Sequence, residues 1–89
     1  MMTHLTVEVV KKPCAFVIQI QEPGETLKKL AMFFQDRQII IDNLNMHRYR
    51  NGDAMLILHC HIEKDRIART VQLLEQLPGI IELEKMEGK

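Results

Sequence analysis

The sequence predicts an α+β fold with the element order strand, helix, strand, strand, helix, strand, and three observations predict it. Two sets of apolar residues have the spacing of one helix face: the first is Leu27, Leu30, Ala31 and Phe34, and the second is Ile67, Val71, Leu74 and Leu77. Apolar and polar residues alternate, as they do in half-buried strands, before, between and after these stripes. Turn-forming pairs separate the segments: Pro23-Gly24, Asn51-Gly52 and Pro78-Gly79.

Composition indicates a single globular domain without a global charge preference. The chain has 89 residues, enough for one modest core, and 46% of them are hydrophobic, which argues against disorder. Twelve basic and twelve acidic residues cancel, so net charge does not draw the chain to nucleic acid or to an anionic membrane. Near-zero net charge also does little to keep copies apart, which favours self-association.

The two cysteines, Cys14 and Cys60, fit neither a CxxC motif nor a disulfide framework. We expect both to be partly buried, reduced thiols of a cytoplasmic protein. The N-terminus alternates polar and apolar residues and does not resemble a signal peptide. No apolar run approaches the ~20 residues of a membrane-spanning helix, so no membrane association is predicted.

The N-terminal part of the chain is predicted to form two strands. Residues 4–10 alternate as a short strand, and the run that ends in Pro13 interrupts it, because proline cannot donate to a sheet ladder. A second strand follows at 15–21. We therefore divide the chain into an N-terminal strand extension, residues 1–13, and a domain of residues 14–89.

The first helix is predicted over residues 25–37, with Glu25 near its positive N-terminal end. The next strand, 39–50, contains a phase slip. Alternation in one phase at Ile39 and Ile41 is followed by alternation in the other phase at Leu44 and Met46.

The segment Asn51-Gly52-Asp53 is a strong hairpin signal between this strand and a strand at 54–62. A two-residue turn would pair Arg50 with Asp53 and mix polar and apolar residues on one face. A three-residue loop would pair Arg50 with Ala54, and it would place Leu44, Met46, Leu56, Leu58, Cys60 and Ile62 on one apolar face. We predict the three-residue loop, because a one-residue slip reverses every side chain.

The second helix is predicted over residues 66–77, with Asp65 as its N-cap. The last strand, 80–86, should point Ile81 and Leu83 inward. Without the N-terminal strand the order is βαββαβ, the ferredoxin-like plan, in which both helices cover one face of an antiparallel sheet.

The other face of the predicted sheet has no cover and is mostly polar. It would carry Val17, Gln19, Gln21, Asn43, Asn45, His47, Tyr49, Met55, Ile57, His59 and His61. His47, His59 and His61 are weak candidates for metal ligands, since no carboxylate or thiolate is clearly on this face to complete a ligand shell. We predict no metal site and expect another subunit to cover part of the face.

No catalytic or cofactor motif occurs in the sequence. It has no GxSxG, HExxH, P-loop or GxGxxG motif, and neither cysteine has a histidine and an acid placed to activate it. Tyr49 is the only aromatic residue expected on the open face, so binding of nucleic acid by base stacking is not predicted. We expect no enzymatic activity and no cofactor.

Residues 21–46, QEPGETLKKLAMFFQDRQIIIDNLNM, resemble the first half of an ACT domain and are most similar to the regulatory small subunit of acetolactate synthase. That family shows a turn glycine, a helix with a Leu and a closing Phe, and then Arg-Gly-aromatic/Ile-Asn-Ile-Glu/Asp-Ser-Leu. The chain keeps the pattern at Arg37, Ile39, Ile41, Asp42 and Leu44. Its last part, with LPGIIELE, resembles the end of the same domain, so the likeness covers about residues 14–86.

The resemblance implies a non-catalytic regulatory subunit that forms a homodimer and docks on a thiamine-dependent catalytic subunit in branched-chain amino acid biosynthesis. It also implies a site for valine, leucine or isoleucine where the first strand–helix loop of one copy meets the first helix and second strand of another. The corresponding positions are Gln21, Glu22, Gly24, Glu25, Ile40 and Ile41. The alternative is a stand-alone small-molecule or metal-sensing domain; an acylphosphatase-type enzyme would need an Arg/Asn pair that is not recognisable here.

Four departures from the family pattern predict a degenerate effector site. The asparagine that would bind the polar end of the amino acid is Ile40, and the glycine after the arginine is Gln38. The loop asparagine is replaced by Gln21 or Glu22, depending on the alignment. Gly24 lies one residue out of register with the family's turn glycine.

Overall fold

The computed structural model describes residues 10–86 of the chain. Its elements are β1 (Lys11–Ile20), α1 (Pro23–Asp36), β2 (Ile41–Arg48), β3 (Ala54–Glu63), a 3₁₀ turn (Lys64–Arg66), α2 (Ile67–Glu75) and β4 (Ile80–Met86). The strands form one antiparallel sheet in the order β2-β3-β1-β4. The predicted ferredoxin-like βαββαβ plan is confirmed. The strand predicted at 4–10 lies almost wholly outside the described residues, and the boundary after residue 13 stays a prediction.

The core lies between the two helices and the two central strands. From Cys14 onwards, every second residue of β1 and β3 is buried on the helix-facing side: Cys14, Phe16, Ile18, Ile20, Ala54, Leu56, Leu58, Cys60 and Ile62. The helices contribute Leu30, Phe33, Phe34 and Leu74. Alternation of period two on the strands and of period 3.6 on the helices therefore brings the apolar side chains into one layer.

Strand β1 begins at Lys11, not at residue 15, and it runs through Pro13. The Lys64 N–H donates to the carbonyl of Val10 across the β1–β3 pair. Alternate residues of β1 hydrogen-bond to β3, and those between them, including Pro13, turn their backbone groups the other way. On that side the described pairing with β4 ends at Ala15, opposite Met86. Within residues 10–86 Pro13 therefore has no ladder hydrogen bond to lose on that side, and the strand continues through it.

The phase slip predicted in the second strand is a β-bulge. Ile41 lies opposite Cys60 and Asn43 opposite His59, so Asp42 is an extra residue in β2. The strand itself is shorter than predicted, because it begins at Ile41 and ends at Arg48.

The β2–β3 hairpin has a three-residue loop, as predicted, but the loop is residues 50–52. Tyr49 N–H donates to the carbonyl of Asp53 (2.8 Å), and Gly52 N–H donates to the carbonyl of Tyr49 (3.1 Å). Gly52 has φ 97°, the left-handed conformation that this type of hairpin needs. Arg48, not Arg50, lies opposite Ala54. The pairing therefore differs from the prediction by two residues, an even number that leaves every side chain on its predicted face.

Three further predictions need correction. Helix α1 begins at Pro23, and Ala31 is exposed while Phe33 is buried in its place. Asp65 does not cap α2, because it lies within the 3₁₀ turn and Arg66 is the N-cap residue. Ile81 is exposed rather than inward, because Ile20 lies opposite Ile80 and Gln19 opposite Glu82, which makes Ile81 the extra residue of a second bulge.

Candidate functional site

The β1–α1 turn, which carries four of the predicted effector-site positions, is tied to the α2–β4 turn. Gln21 N–H donates to the carbonyl of Gly79 (2.8 Å), and the Thr26 hydroxyl donates to the carbonyl of Gln21. Thr26 is buried, and Gly79 adopts φ 95° directly against it. Sequence reasoning missed this contact, since nothing in the residue pattern shows that the turns at Gln21 and Gly79 will meet.

The N-terminal end of α1 presents backbone amides that the helix itself does not use. Glu22 precedes the helix in the left-handed conformation (φ 46°), and its backbone carbonyl accepts a hydrogen bond from the Thr26 N–H (3.0 Å). The next residue, Pro23, has no N–H. The amides of Gly24 and Glu25 therefore lie in the first turn without an intrahelical acceptor. A Cβ at Gly24 would meet no atom within 4 Å, so the space beside this backbone is open. The exposed carboxylates of Glu22 and Glu25 oppose the approach of an anion to this end of the helix.

Ile40 and Ile41, the other two predicted positions, lie at the opposite end of α1. They border a shallow cleft of about 450 Å³ lined mainly by apolar side chains, with Phe34 at its base and Ile40 75% exposed. Helix α1 has 14 residues, so this cleft and the β1–α1 turn are about 20 Å apart along the helix. One copy of the chain does not bring the six predicted positions together.

Among the strands that the structure describes, β2 is an edge strand, and it keeps two apolar residues exposed. Leu44 is 42% and Met46 is 43% exposed, although both lie on the helix-facing side of the sheet. Helix α2 lies beside β4 at the other edge, which leaves α1 on the half of the sheet nearer to β2. Exposed apolar residues beside an open sheet edge are typical of a surface that another chain covers.

The open sheet face separates the three candidate histidines. His47 lies opposite Met55 on β3, four residues from His59, which is about 14 Å along a strand. Within residues 10–86 no group of three or more His, Cys, Asp or Glu side chains is placed to hold a metal ion. His47, His59 and His61 therefore do not form a three-ligand metal cluster.

A carboxylate does lie on this face, contrary to the sequence interpretation. The bulge turns Asp42 towards β3, where its Oδ2 lies 2.7 Å from Nδ1 of His61. Further along the face, the Tyr49 hydroxyl donates to Oε1 of Gln19 (3.1 Å) and the Tyr49 ring packs edge-on against His47. These contacts stabilise the surface without converging on one point.

Both cysteines are buried free thiols, as the sequence suggested. They lie opposite each other on β1 and β3, and burial raises the pKa of each. Neither thiol is placed for nucleophilic chemistry, because a buried neutral thiol is a poor nucleophile. No helix in the described part of the chain is long and apolar enough to cross a membrane.

Comparison with known proteins gives similarity at the level of structure only. No family model matches the sequence, and no curated protein matches it. Among solved structures, the chain is similar to the ACT domain of GTP pyrophosphokinase from Chlorobium tepidum, with a TM-score of 0.70 at 10% identity over 86% of this chain and 100% of that one. It is also similar to the C-terminal domain of the MgtC protein from Mycobacterium tuberculosis, with a TM-score of 0.64 at 15% identity over 94% of both chains.

A third similar structure is a homoserine dehydrogenase from Thiobacillus denitrificans, with a TM-score of 0.66 at 15% identity. The match covers 89% of this chain but only 18% of the dehydrogenase chain. Identities this low establish the fold and leave the function open. The chain therefore has the ferredoxin-like fold of ACT domains.

Proposed function

We propose that the chain is a non-catalytic regulatory domain of ACT type that works as a homodimer and holds a small amino acid between its two copies. The observation that supports this is the separation of the two candidate half-sites along α1. A two-fold axis beside β2 would set α1 of one copy antiparallel to α1 of the other. The β1–α1 turn of each copy would then face the Ile40 cleft of its partner.

In this arrangement each half-site supplies a different kind of contact. The free amides of Gly24 and Glu25 would donate to the ligand's carboxylate. The apolar cleft around Ile40 would take an aliphatic side chain, which is why valine, leucine and isoleucine are the expected ligands. A hydrogen bond from an amide side chain to the charged ligand is worth ~1.5–3 kcal/mol, and Ile40 does not make it. We therefore expect binding in the millimolar range or weaker.

Calorimetry with the three branched-chain amino acids tests the effector site. The Ile40→Asn variant should bind at least about tenfold more tightly than the unmodified protein, because it restores that hydrogen bond. Ile81→Asn is the matched control, since Ile81 is equally an exposed isoleucine but lies on β4 at the far edge of the sheet. It should leave binding unchanged.

Two results would count against the assignment. Micromolar binding by the unmodified protein would show that the site is not degenerate. If Ile40→Asn gave no gain over Ile81→Asn, the site would be wrong and the domain would serve only for docking.

We further propose that the partner is a thiamine-dependent catalytic subunit, in a cytoplasmic acetolactate synthase. The similarity of residues 21–46 to that small subunit supports the choice of partner. The free thiols of both cysteines support only the cytoplasmic location. The fold also occurs as part of a larger enzyme chain in the homoserine dehydrogenase. Adding the purified chain to the catalytic subunit of the same organism should change the activity of that subunit or the sensitivity of that activity to valine. If the two proteins co-purified without either change, the role of the chain would be docking alone.

A further inference from the structure

A second cleft, of about 470 Å³, lies at the end of the sheet where α1 finishes and α2 starts. The end of α1, the start of β1, the end of β3 and the first turns leading into α2 form its walls. Its volume is that of a small-molecule site. It shares Gln38 and Ile39 with the apolar cleft described above but opens between the two helices instead of beside β2.

Positive charge is concentrated in this cleft. Four cationic side chains line it, Lys11, Arg37, Arg66 and Arg69, against two carboxylates, Glu63 and Asp65. The cleft therefore carries an excess of two positive charges in a chain whose formal net charge is zero. Concave surfaces lined by one sign of charge concentrate ligands of the opposite sign.

Arg37 is held in place before any ligand arrives. Its Nη1 donates to the carbonyl of Phe33 (3.2 Å), and its guanidinium carbon lies 3.8 Å from the centre of the Phe33 ring. A guanidinium has five N–H donors, and this contact uses one of them. The remaining donors have no partner among residues 10–86, and they can bind a carboxylate or phosphate in the bidentate geometry that arginine favours.

Arg66 and Arg69 occupy an electrostatically unfavourable position. They lie three residues apart at the start of α2, whose first turn contains no acidic residue. Cations are destabilising at the positive end of a helix, and like charges at this spacing repel each other. An ion pair there joins Arg66 to Glu63 at 3.8 Å between largely exposed side chains, which is a weak interaction. A bound anion would relieve this crowding.

Thr70 adds a polar group at the wall of the cleft. Thr70 is only 4% exposed, and it lines the cleft. A hydroxyl at the wall of a cleft can donate a hydrogen bond to a ligand oxygen.

We propose that this cleft binds a compact dianion of a small metabolite, a phosphate monoester or a dicarboxylate. Arg37 and Arg69 supply the bidentate contacts, and the Thr70 hydroxyl supplies a neutral donor. This site does not depend on the amino-acid site, which uses the β1–α1 turn and the Ile40 cleft.

Titration followed by amide NMR shifts tests the proposal, with inorganic phosphate, phenyl phosphate and succinate as probes and sodium chloride at matched ionic strength as the baseline. We expect saturable shifts at the amides of Arg37, Gln38, Arg69 and Thr70, with a Kd of about 0.1–1 mM for at least one probe. Arg69→Gln should weaken that binding about tenfold, because one charge-assisted contact is lost. Arg50→Gln, a matched exposed arginine in the β2–β3 loop, should leave it unchanged.

The probes also identify the ligand class. Tighter binding of phenyl phosphate than of succinate would assign a phosphate monoester, and the reverse order would assign a dicarboxylate. The proposal is overturned if no probe gives saturable shifts above the chloride baseline up to ~20 mM, or if Arg50→Gln weakens binding as much as Arg69→Gln does. Dispersed amide spectra of both variants in the absence of ligand would show that each is folded, so loss of binding would not reflect unfolding.

Discussion

Cys60 shows how strongly the position of one residue in the core sets its chemistry. It lies on the helix-facing side of β3 opposite Cys14, and its side chain is 1% exposed. Burial, and then the nearby Cys14 and Asp42, raise the pKa of the Cys60 thiol from 9.0 to about 12. The folded protein therefore keeps this proton over a pH range in which the unfolded chain gives it up.

The difference in protonation makes folding stability depend on pH above about 9. Between pH 9 and 12 the folded state binds more protons than the unfolded state, so the free energy of unfolding falls as pH rises, by at most ~1.4 kcal/mol per pH unit for one thiol. Urea unfolding of the wild type and of Cys60→Ala at pH 8, 9.5 and 11 should show the wild type losing stability relative to the variant. Other titrating groups are common to both proteins and cancel. A constant difference across this range would mean that Cys60 ionises as freely in the folded protein as in the unfolded chain.

At the scale of elements, the two turns at one end of the sheet are stabilised together. The Thr26 hydroxyl lies so close to Gly79 that a Cβ on residue 79 would overlap it, and Gly79 also needs φ 95°. Gly79→Ala should therefore destabilise the fold by ~2–4 kcal/mol, the sum of backbone strain and a steric clash. Urea unfolding measures this loss directly.

Gly52 supplies the control for this prediction. Its φ of 97° is nearly the same, but a Cβ there would meet no atom within 4 Å. Gly52→Ala should cost only the backbone strain, ~1–2 kcal/mol. If the two glycine variants lost the same stability, the contact between the turns would contribute nothing. In a double-mutant cycle, Thr26→Ala should reduce the cost of Gly79→Ala, because it removes the hydroxyl that clashes.

Most helices and strands could be predicted from the sequence, because an element that is buried on one face carries apolar residues at regular spacing. The alternation of apolar and polar residues from Leu44 to Ile62 correctly predicted which sheet face each hairpin side chain occupies. The predicted pairing of the two strands differed from the observed pairing by two residues. The bulge at Asp42 was visible as a phase slip, because the apolar residues on either side of it had to return to the same face. At Ile81 no such signal exists, since Ile80 and Ile81 are both isoleucine and either could point inward.

Contacts between distant turns and clusters at the ends of elements could not be predicted from local patterns. Thr26 and Gly79 meet only because the sheet order places the β1–α1 and α2–β4 turns side by side. Arg37 follows α1 and Arg69 lies in α2, and no spacing in the sequence shows that they line one cleft. The six predicted effector positions were found as a set by family resemblance, and the fold then separated them to the two ends of α1.

At the scale of the whole molecule, the surface beside β2 combines a sheet edge with exposed apolar side chains. Among residues 10–86 β2 forms an edge of the sheet, and exposed apolar side chains lie on it at Leu44 and Met46 and just before it at Ile40. Neutral net charge gives no repulsion between copies. From the sequence we expected a second subunit to cover part of the open sheet face. That face is less apolar than the β2 edge, so we now propose self-association along β2 instead.

Light scattering coupled to size exclusion should give a mass of about twice 10.4 kDa at micromolar concentration. Met46→Lys should shift the protein towards the monomer, because a symmetric interface would bury two new unpaired charges, each costing at least ~1 kcal/mol. Ile81→Lys is the matched control, since it introduces the same charge at the β4 edge, and it should leave the dimer intact. Dissociation by Ile81→Lys alone would assign the interface to β4. If the unmodified protein were a monomer at every concentration, a shared effector site would be contradicted, because one copy holds the β1–α1 turn and the Ile40 cleft about 20 Å apart.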